Sequence, residues 1–231
     1  MKHVPSATQP GIGHRQGTPE RLIEAVETLL NQSQTLNPSL REITAAAGAN
    51  VAAVAYHFGS KDALVTAVIE RTLAEHARRQ LAALRMVADQ PASTIDDVVR
   101  AWIGPSVPVV EEDRNALMPR IAARVVGGAS PQLRDLAVRT HAEVYALYYS
   151  LLAYRLPDLS AEELTFRMTM AAIAVAGMIV EPFPHASIAG NAPVGQDGST
   201  LDRSIAFIVA GLTAPPALPS PVAKRGALDQ A

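Results

Sequence analysis

The stretch from Leu40 to Leu64, LREITAAAGANVAAVAYHFGSKDAL, decides the fold because it carries its own helix boundaries. Ser39 precedes it, and Glu42 follows three residues later, which is the S-x-x-E capping box that begins a helix. Gly48 is the type of residue that ends one. The spacing therefore predicts a short helix of little more than two turns.

A second short helix follows directly. Asn50 can cap a helix over 51–58, and Gly59 ends it. Ser60 then caps a much longer helix, which runs from Lys61 to about Ala88. Two short helices joined by a tight glycine turn have the dimensions of a helix-turn-helix, although any αα-hairpin in an all-helical protein has them too.

Helix signals continue on both sides of this stretch. Thr18-Pro19-Glu20 places a cap, a proline and an acid where a first helix begins. Further helices are predicted from about 93 to 103, 115 to 126, 131 to 155, 160 to 179 and 200 to 212. No segment alternates as a strand does, and no repeat is visible. The predicted class is all-α.

Composition limits the functions that are possible. The chain has 231 residues, of which 48% are apolar and 18% charged, so it can bury a sizeable core. The absence of cysteine excludes disulfides, thiol catalysis, zinc–cysteine sites and iron–sulfur clusters. A net charge of −2 argues against a generally basic nucleic-acid binder but leaves a local binding site open.

Neither the first seventeen residues nor the most apolar segment has the pattern of a targeting signal. Residues 1–17 contain proline and glycine but no apolar run, so we interpret them as a flexible arm rather than a signal peptide. The apolar run 168–180 is shorter than the roughly 20 residues that a membrane-spanning helix needs. A cytoplasmic location is expected. The proline-rich tail, 213–231, is expected to be disordered.

The same central stretch resembles the DNA-binding domain of the tetracycline-repressor (TetR) family. The resemblance covers about residues 18–70, and its most specific part is the Y-H-F-x-S-K-x-x-L run from Tyr56 to Leu64. Residues 117–179 are similar to the C-terminal domains of family members that respond to fatty acyl compounds. The resemblance implies a transcriptional regulator and no enzyme, with a DNA-binding domain over 18–65 and an effector-binding and dimerisation domain over 66–212.

Ten residues are candidate DNA contacts. The hydroxyl and guanidinium side chains of the first short helix suit contacts with DNA phosphates. The resemblance implies further contacts with the DNA backbone and a second short helix that faces the major groove. The candidates are Ser39, Arg41, Thr44, Asn50, Ala52, Ala53, Ala55, Tyr56, His57 and Lys61. Ser39 also has its capping role, Tyr56 could instead be packed in the core, and Lys61 could be a solvated surface group.

Residues 50–58 contain no Arg or Lys, so this helix cannot read guanine with a bidentate cation. We expect specificity from thymine methyl contacts with the alanines and from DNA shape. The N-terminal arm can add to this by entering a minor groove, through Lys2, His3, His14 and Arg15.

The remaining helices are expected to form a homodimer and to hold a small apolar effector. Helices 131–155 and 200–212 are the candidate dimer interface, as the resemblance suggests. Bulky or polarizable residues that could line an effector pocket, or simply belong to the core, are Trp102, Met118, His141, Tyr145, Tyr149, Phe166 and Met170. No second histidine lies at ligand spacing from His141, so no metal site and no cofactor are predicted.

The expected mechanism is a population shift. The effector favours one tilt of helix 61–88, which moves two DNA-reading helices away from the spacing of a pseudo-palindromic operator and releases a repressor. Two other classes stay open. One is a small all-α enzyme acting on an apolar substrate through Glu162, Glu163 or His141, although a capping box explains both glutamates. The other is a ligand-independent regulator or an adaptor whose hairpin binds protein.

Overall fold

A computed structural model describes residues 17–32, 36–106, 117–126, 128, 130–179 and 199–215. These residues form helices and turns and include no strand, which confirms the all-α class. The predicted N-terminal arm and proline-rich tail lie outside the described residues, apart from residue 17 and residues 213–215.

Ten α-helices account for most of the described chain. They are α1 (Thr18–Gln32), α2 (Leu40–Ala47), α3 (Val51–Phe58), α4 (Lys61–Ala88), α5 (Ile95–Ile103), α6 (Leu117–Val126), α7 (Pro131–Thr140), α8 (Ala142–Arg155), α9 (Ala161–Ile179) and α10 (Ser199–Thr213). A short 3-10 turn, Gly104–Ser106, follows α5.

The chain divides into two compact units, residues 1–68 and 69–231. In the first, α1 packs on α2 and α3, and α2 packs on α3. Its largest buried side chains include Leu22, Leu30, Ile43 and Leu64. In the second, α5 packs on α8 and α10, while α9 packs on α6, α8 and α10. The core of this unit contains Val98, Trp102, Val144, Tyr148, Leu152, Leu164, Ile205 and Ile208.

The helix boundaries follow from the predicted caps. The backbone N–H of Ser39 donates to Glu42 Oε2 at 2.7 Å, and the N–H of Glu42 donates to Ser39 Oγ at 3.2 Å. Asn50 Oδ1 accepts the N–H of Ala53 at 2.9 Å. Gly48 has φ 57°, the left-handed conformation that only glycine adopts without strain. Ser60, Thr94 and Ser160 cap α4, α5 and α9 through their hydroxyls.

The predicted single helix over 131–155 is wrong, because His141 interrupts it. His141 has φ −99° and ψ 9°, so α7 ends before it and α8 begins after it. Its imidazole Nδ1 and its backbone N–H both bond the Ala137 carbonyl at 3.0 Å, so the side chain competes with the backbone one helical turn back. Beyond the break, the buried positions of α8 are Val144, Tyr148 and Leu152.

A buried arginine joins α9 to the end of α10. Arg167 Nη1 donates to the carbonyls of Leu212 and Ala214 at 2.7 and 2.5 Å, and its Nε donates to Glu163 Oε1 at 2.7 Å. The last carbonyls of a helix have no partner within it, so Arg167 acts as a C-terminal cap supplied by a neighbouring helix.

Replacing Arg167 with leucine should therefore destabilise the second unit. The substitution leaves two carbonyls and the Glu163 carboxylate without this donor, and we expect a loss of about 3 kcal/mol in the free energy of unfolding. Urea unfolding followed by far-UV circular dichroism measures it. Arg134→Leu on the exposed face of α7 is the matched control and should change stability by less than about 0.5 kcal/mol. Equal midpoints for the two variants would contradict the capping role.

Candidate nucleic-acid interface

Helices α2 and α3 bury one face and leave the other to solvent. Ile43, Ala47 and Val54 are buried, which fixes α3 against the rest of the first unit. On the opposite side, Tyr56 is 84% exposed, so the alternative in which it packs in the core does not fit. Its ring meets His57 edge to face at a centroid distance of 4.9 Å.

The exposed face of α3 carries small side chains around this aromatic pair. Asn50, Ala52 and Ala55 are exposed, and Ala53 is half-buried. The Asn50 side chain is engaged as the helix cap, as its bond to the Ala53 N–H shows. A helix with such short side chains can approach base edges closely, since the major groove is about 12 Å wide and admits a helix.

The candidate phosphate-contacting side chains differ in whether they already form hydrogen bonds within the protein. Arg41 is exposed on α2. The Thr44 hydroxyl donates back to the carbonyls of Leu40 and Arg41 at 3.0 and 3.2 Å, so it can donate to a phosphate only by leaving those bonds. Ser39 is engaged in the capping box.

Lys61 has a partner that sequence reasoning missed. Its ammonium group hydrogen-bonds the side-chain oxygen of Asn37, 24 positions earlier, and lies 3.1 Å from the Asp62 carboxylate. The Lys61 side chain remains 25% accessible. Asn37 thus holds a cation at the beginning of α4, the position that the resemblance associates with a phosphate.

The seven candidate effector residues differ in burial, and only some of them lie near one another: the rings of His141 and Tyr145 are 6.1 Å apart, and Tyr149 packs on the core that contains Trp102. Trp102 and His141 are buried, and Met118 and Tyr149 are half-buried. The other three are exposed: Tyr145 by 40%, Phe166 by 58% and Met170 by 44%. The enclosed position expected for Phe166 and Met170 is not observed, because α9 turns Leu164, Arg167 and Ala171 toward the core instead.

His141 belongs to a buried polar chain that includes two residues absent from the prediction. His76 Nδ1 lies 3.2 Å from His141 Nε2, and His76 Nε2 lies 3.0 Å from Ser106 Oγ. A carbonyl can only accept, so the bond from His141 Nδ1 to Ala137 places a hydrogen on that nitrogen. Neutral rings then give one consistent direction, in which Ser106 donates to His76 and His76 donates to His141.

One helical turn further along α4, a second polar contact joins this helix to α5. Gln80 Nε2 donates to the Trp102 carbonyl at 2.8 Å. The Trp102 ring stacks on Tyr148 with a centroid distance of 4.6 Å and an interplanar angle of 17°. We call His76, Gln80, Ser106 and His141, together with Trp102 and Tyr148, the polar cluster.

Burial favours the neutral form of both histidines of the cluster. It lowers the pKa of His76 to about 4, with smaller contributions from His141 and Arg79. Burial also lowers the pKa of His141, against the opposing effect of its bond to Ala137. Within the described ranges, no three histidine or carboxylate side chains gather as a metal site would require. Among the described helices, none has the length and apolar character that crossing a membrane requires.

Comparisons with known proteins match both units. Residues 22–68 match the family model described as bacterial regulatory proteins, tetR family, and residues 100–211 match the model described as tetracyclin repressor-like, C-terminal domain. The chain is similar to the crystal structure of a transcriptional regulator from Rhodococcus sp. RHA1, with 22% identity and a TM-score of 0.55 over 87% of this chain and 100% of that one. This likeness concerns the fold.

A second structure from Rhodococcus sp. RHA1, assigned as a transcriptional regulator, matches with 20% identity and a TM-score of 0.46 over 86% of this chain and 97% of that chain. None of the curated proteins compared with this chain matches it.

The neutral histidine pair predicts a stability that falls in acid. The unfolded chain binds a proton at His76 with a pKa near 6.5 and the folded chain only near pH 4, so stability is complete above pH 6.5 and is lost as pH falls between the two values. At pH 5 the loss relative to pH 7.5 is about 2 kcal/mol from His76 alone. Urea unfolding followed by Trp102 fluorescence at several pH values measures it.

His76→Gln should remove much of this pH dependence. His57→Gln, a substitution at an exposed histidine of the first unit, is the control and should keep it. An unchanged slope in His76→Gln would show that the acid sensitivity has another origin.

Proposed function

The chain belongs to the TetR family of bacterial transcriptional regulators, and from that premise we propose that it is a homodimeric repressor, released from a pseudo-palindromic operator by a small apolar effector. Membership in this family makes it a regulator rather than an enzyme. The observation that carries the DNA-binding proposal is the exposed face of α3 around Tyr56, held by a hairpin capped at Ser39 and Asn50. Because its target is the genome, we place it in the cytoplasm.

Recognition of DNA by this face depends on apolar contacts and on the shape of the groove more than on charged side chains. α3 offers methyl groups and one phenol but no cation, so thymine methyl groups and groove shape are the features it can recognise. Arg41 and Lys61 supply the phosphate contacts that fix its register.

A dimer is needed because a single DNA-binding hairpin, which we call a head, makes few contacts with DNA. Two heads about 34–36 Å apart read both halves of a pseudo-palindrome. The apolar face that supports a dimer lies on α9, where Phe166, Met170 and Ile173 are exposed at spacings of four and three residues. This is the repeat with which two helices pack side by side. Phe207 is exposed on α10, which packs against α9.

Helix α8 supports a dimer less well than the sequence suggested. Its exposed aromatics Tyr145 and Tyr154 are nine positions apart, which places them on opposite sides of the helix. They form no continuous stripe. We therefore assign the dimer interface to α9 and α10 in place of the region 131–155.

The effector proposal rests on the polar cluster in the second unit. α4 begins at Lys61, which is itself a proposed phosphate contact, and the same helix carries His76 of the polar cluster fifteen positions later. A molecule that changes the packing of the cluster can thus favour a different position of α4, and the operator affinity changes with it.

Arg41→Ala and Lys61→Ala should each weaken DNA binding on every sequence. Each phosphate contact releases about one counterion from the DNA on binding. Losing one contact should therefore flatten the slope of log K against log [salt] by about 0.9. Fluorescence anisotropy with the duplex upstream of the gene and with a scrambled duplex measures both effects. Arg134→Ala in the second unit is the control. A changed sequence preference would show that these residues read bases.

Phe166→Glu and Ile173→Glu should produce monomers. A carboxylate in an apolar interface loses its hydration without a partner, and this cost opposes association. Sedimentation velocity gives the mass, and operator affinity should fall at least about tenfold when only one head binds. Met86→Glu, at an exposed apolar position on α4, is the matched control. Dissociation by Tyr154→Glu, with Phe166→Glu still dimeric, would place the interface on α8.

A further inference from the structure

We infer that the Tyr148 hydroxyl is a recognition group for the effector, donating a hydrogen bond to a neutral, mainly apolar molecule that carries an acceptor oxygen such as a ketone or ester carbonyl. The inference rests on the effector-binding part of the proposed function and names the chemistry of its ligand. Its site is the polar cluster, formed by α4, α5 with the 3-10 turn, and α8.

The first observation is that a fully buried hydroxyl has no partner among the residues that the structure describes. Tyr148 is 0% exposed, and its phenol oxygen makes no hydrogen bond to any described residue. Buried polar groups are almost always paired, because leaving one unpaired costs stability. Phenylalanine would fill the same space without that cost. A tyrosine at this position is explained if its hydroxyl forms a hydrogen bond with a bound ligand.

The second observation is that the surrounding polar groups are already engaged. The Gln80 amide donates to Trp102, and Ser106, His76 and His141 form the chain that ends at Ala137. Four of the five buried polar side chains among the described residues belong to this cluster. Among the described polar groups of the cluster, the Tyr148 hydroxyl is therefore the one whose donor is unused, and small-molecule sites combine an apolar lining with a few such polar groups.

The charges of the cluster select a neutral ligand. Both histidines are neutral in their hydrogen-bonded arrangement, so no buried cation in the cluster would compensate a carboxylate. The Tyr148 hydroxyl is kept protonated, since burial raises its pKa, and it therefore acts as a donor. The ring of Trp102 and the aliphatic core around it suit an apolar body.

The test uses two probes of the same shape, 2-octanone and 2-methyl-1-octene, in which a methylene group replaces the carbonyl oxygen. Trp102 is the single tryptophan of the chain and stacks on Tyr148, so its fluorescence reports binding in the full-length protein. The wild-type protein should bind the ketone at least tenfold more tightly than the alkene. Tyr148→Phe should bind the two probes equally, with the alkene affinity unchanged and the melting temperature equal to or above that of wild type.

Tyr154→Phe removes an exposed hydroxyl from the same helix and is the matched control, which should keep the preference for the ketone. The inference is overturned if neither probe binds, if the wild-type protein binds both alike, or if Tyr148→Phe keeps the preference. A clearly lower melting temperature of Tyr148→Phe would also overturn it, because the hydroxyl would then have a protein partner.

Operator affinity measured in the presence of saturating ketone separates the two proposals. Tyr148-dependent binding that leaves operator affinity unchanged supports the ligand inference and contradicts release by effector. Two probes that bind alike and still release DNA contradict only the role of the hydroxyl.

Discussion

The continuous burial of one side of α4 is the constraint on which the rest of the structure depends. This helix is 28 residues long and belongs to both units. Its buried positions recur every three or four residues and are Leu64, Val65, Val68, Ile69, Leu73, His76, Ala77, Gln80 and Leu84. Two of these are polar, and a buried polar group needs a partner. The positions of Ser106, His141 and the Trp102 carbonyl follow from that need, so one polar turn of α4 organises three other elements.

The helix boundaries could be predicted from sequence because their signals are local. A cap such as Ser39 acts on residues within four positions, and the beginning of α4 was found from the same kind of signal at Ser60. The break at His141 could not be predicted in this way, since no proline or glycine marks it. At the break, the His141 imidazole shares the Ala137 carbonyl with the backbone N–H of the same residue, and sequence alone does not reveal such a bond. Beyond the break, Tyr148 is fully buried, while Tyr149 is half-buried and Tyr145 is 40% exposed.

The same difference between local and long-range contacts separates the two candidate sites, the helix hairpin α2–α3 and the polar cluster. The hairpin that we propose to bind DNA is contiguous, so its candidate residues could be named from one stretch of sequence. The polar cluster joins groups 65 and 30 positions apart, and the Lys61–Asn37 bond spans 24, so sequence spacing carries no signal for them. Phe166 and Met170 show a different limit. Apolar residues at helical spacing suit a core and an interface equally, and only the fold shows which face the neighbouring helices cover.

In the dimer that we propose, weak charge makes the spacing of the two heads the main source of DNA affinity. α3 carries no lysine or arginine, and the two proposed phosphate contacts of each head stand beside an acid or a capping group. Each phosphate contact contributes a salt-dependent increment, so two per head give a modest affinity. Linking two heads raises the effective concentration of the second to about the millimolar range, provided that both reach their half-sites. A displacement that breaks this match removes the whole gain without removing any contact. A regulator built this way can therefore be switched by a small change in the packing of α4.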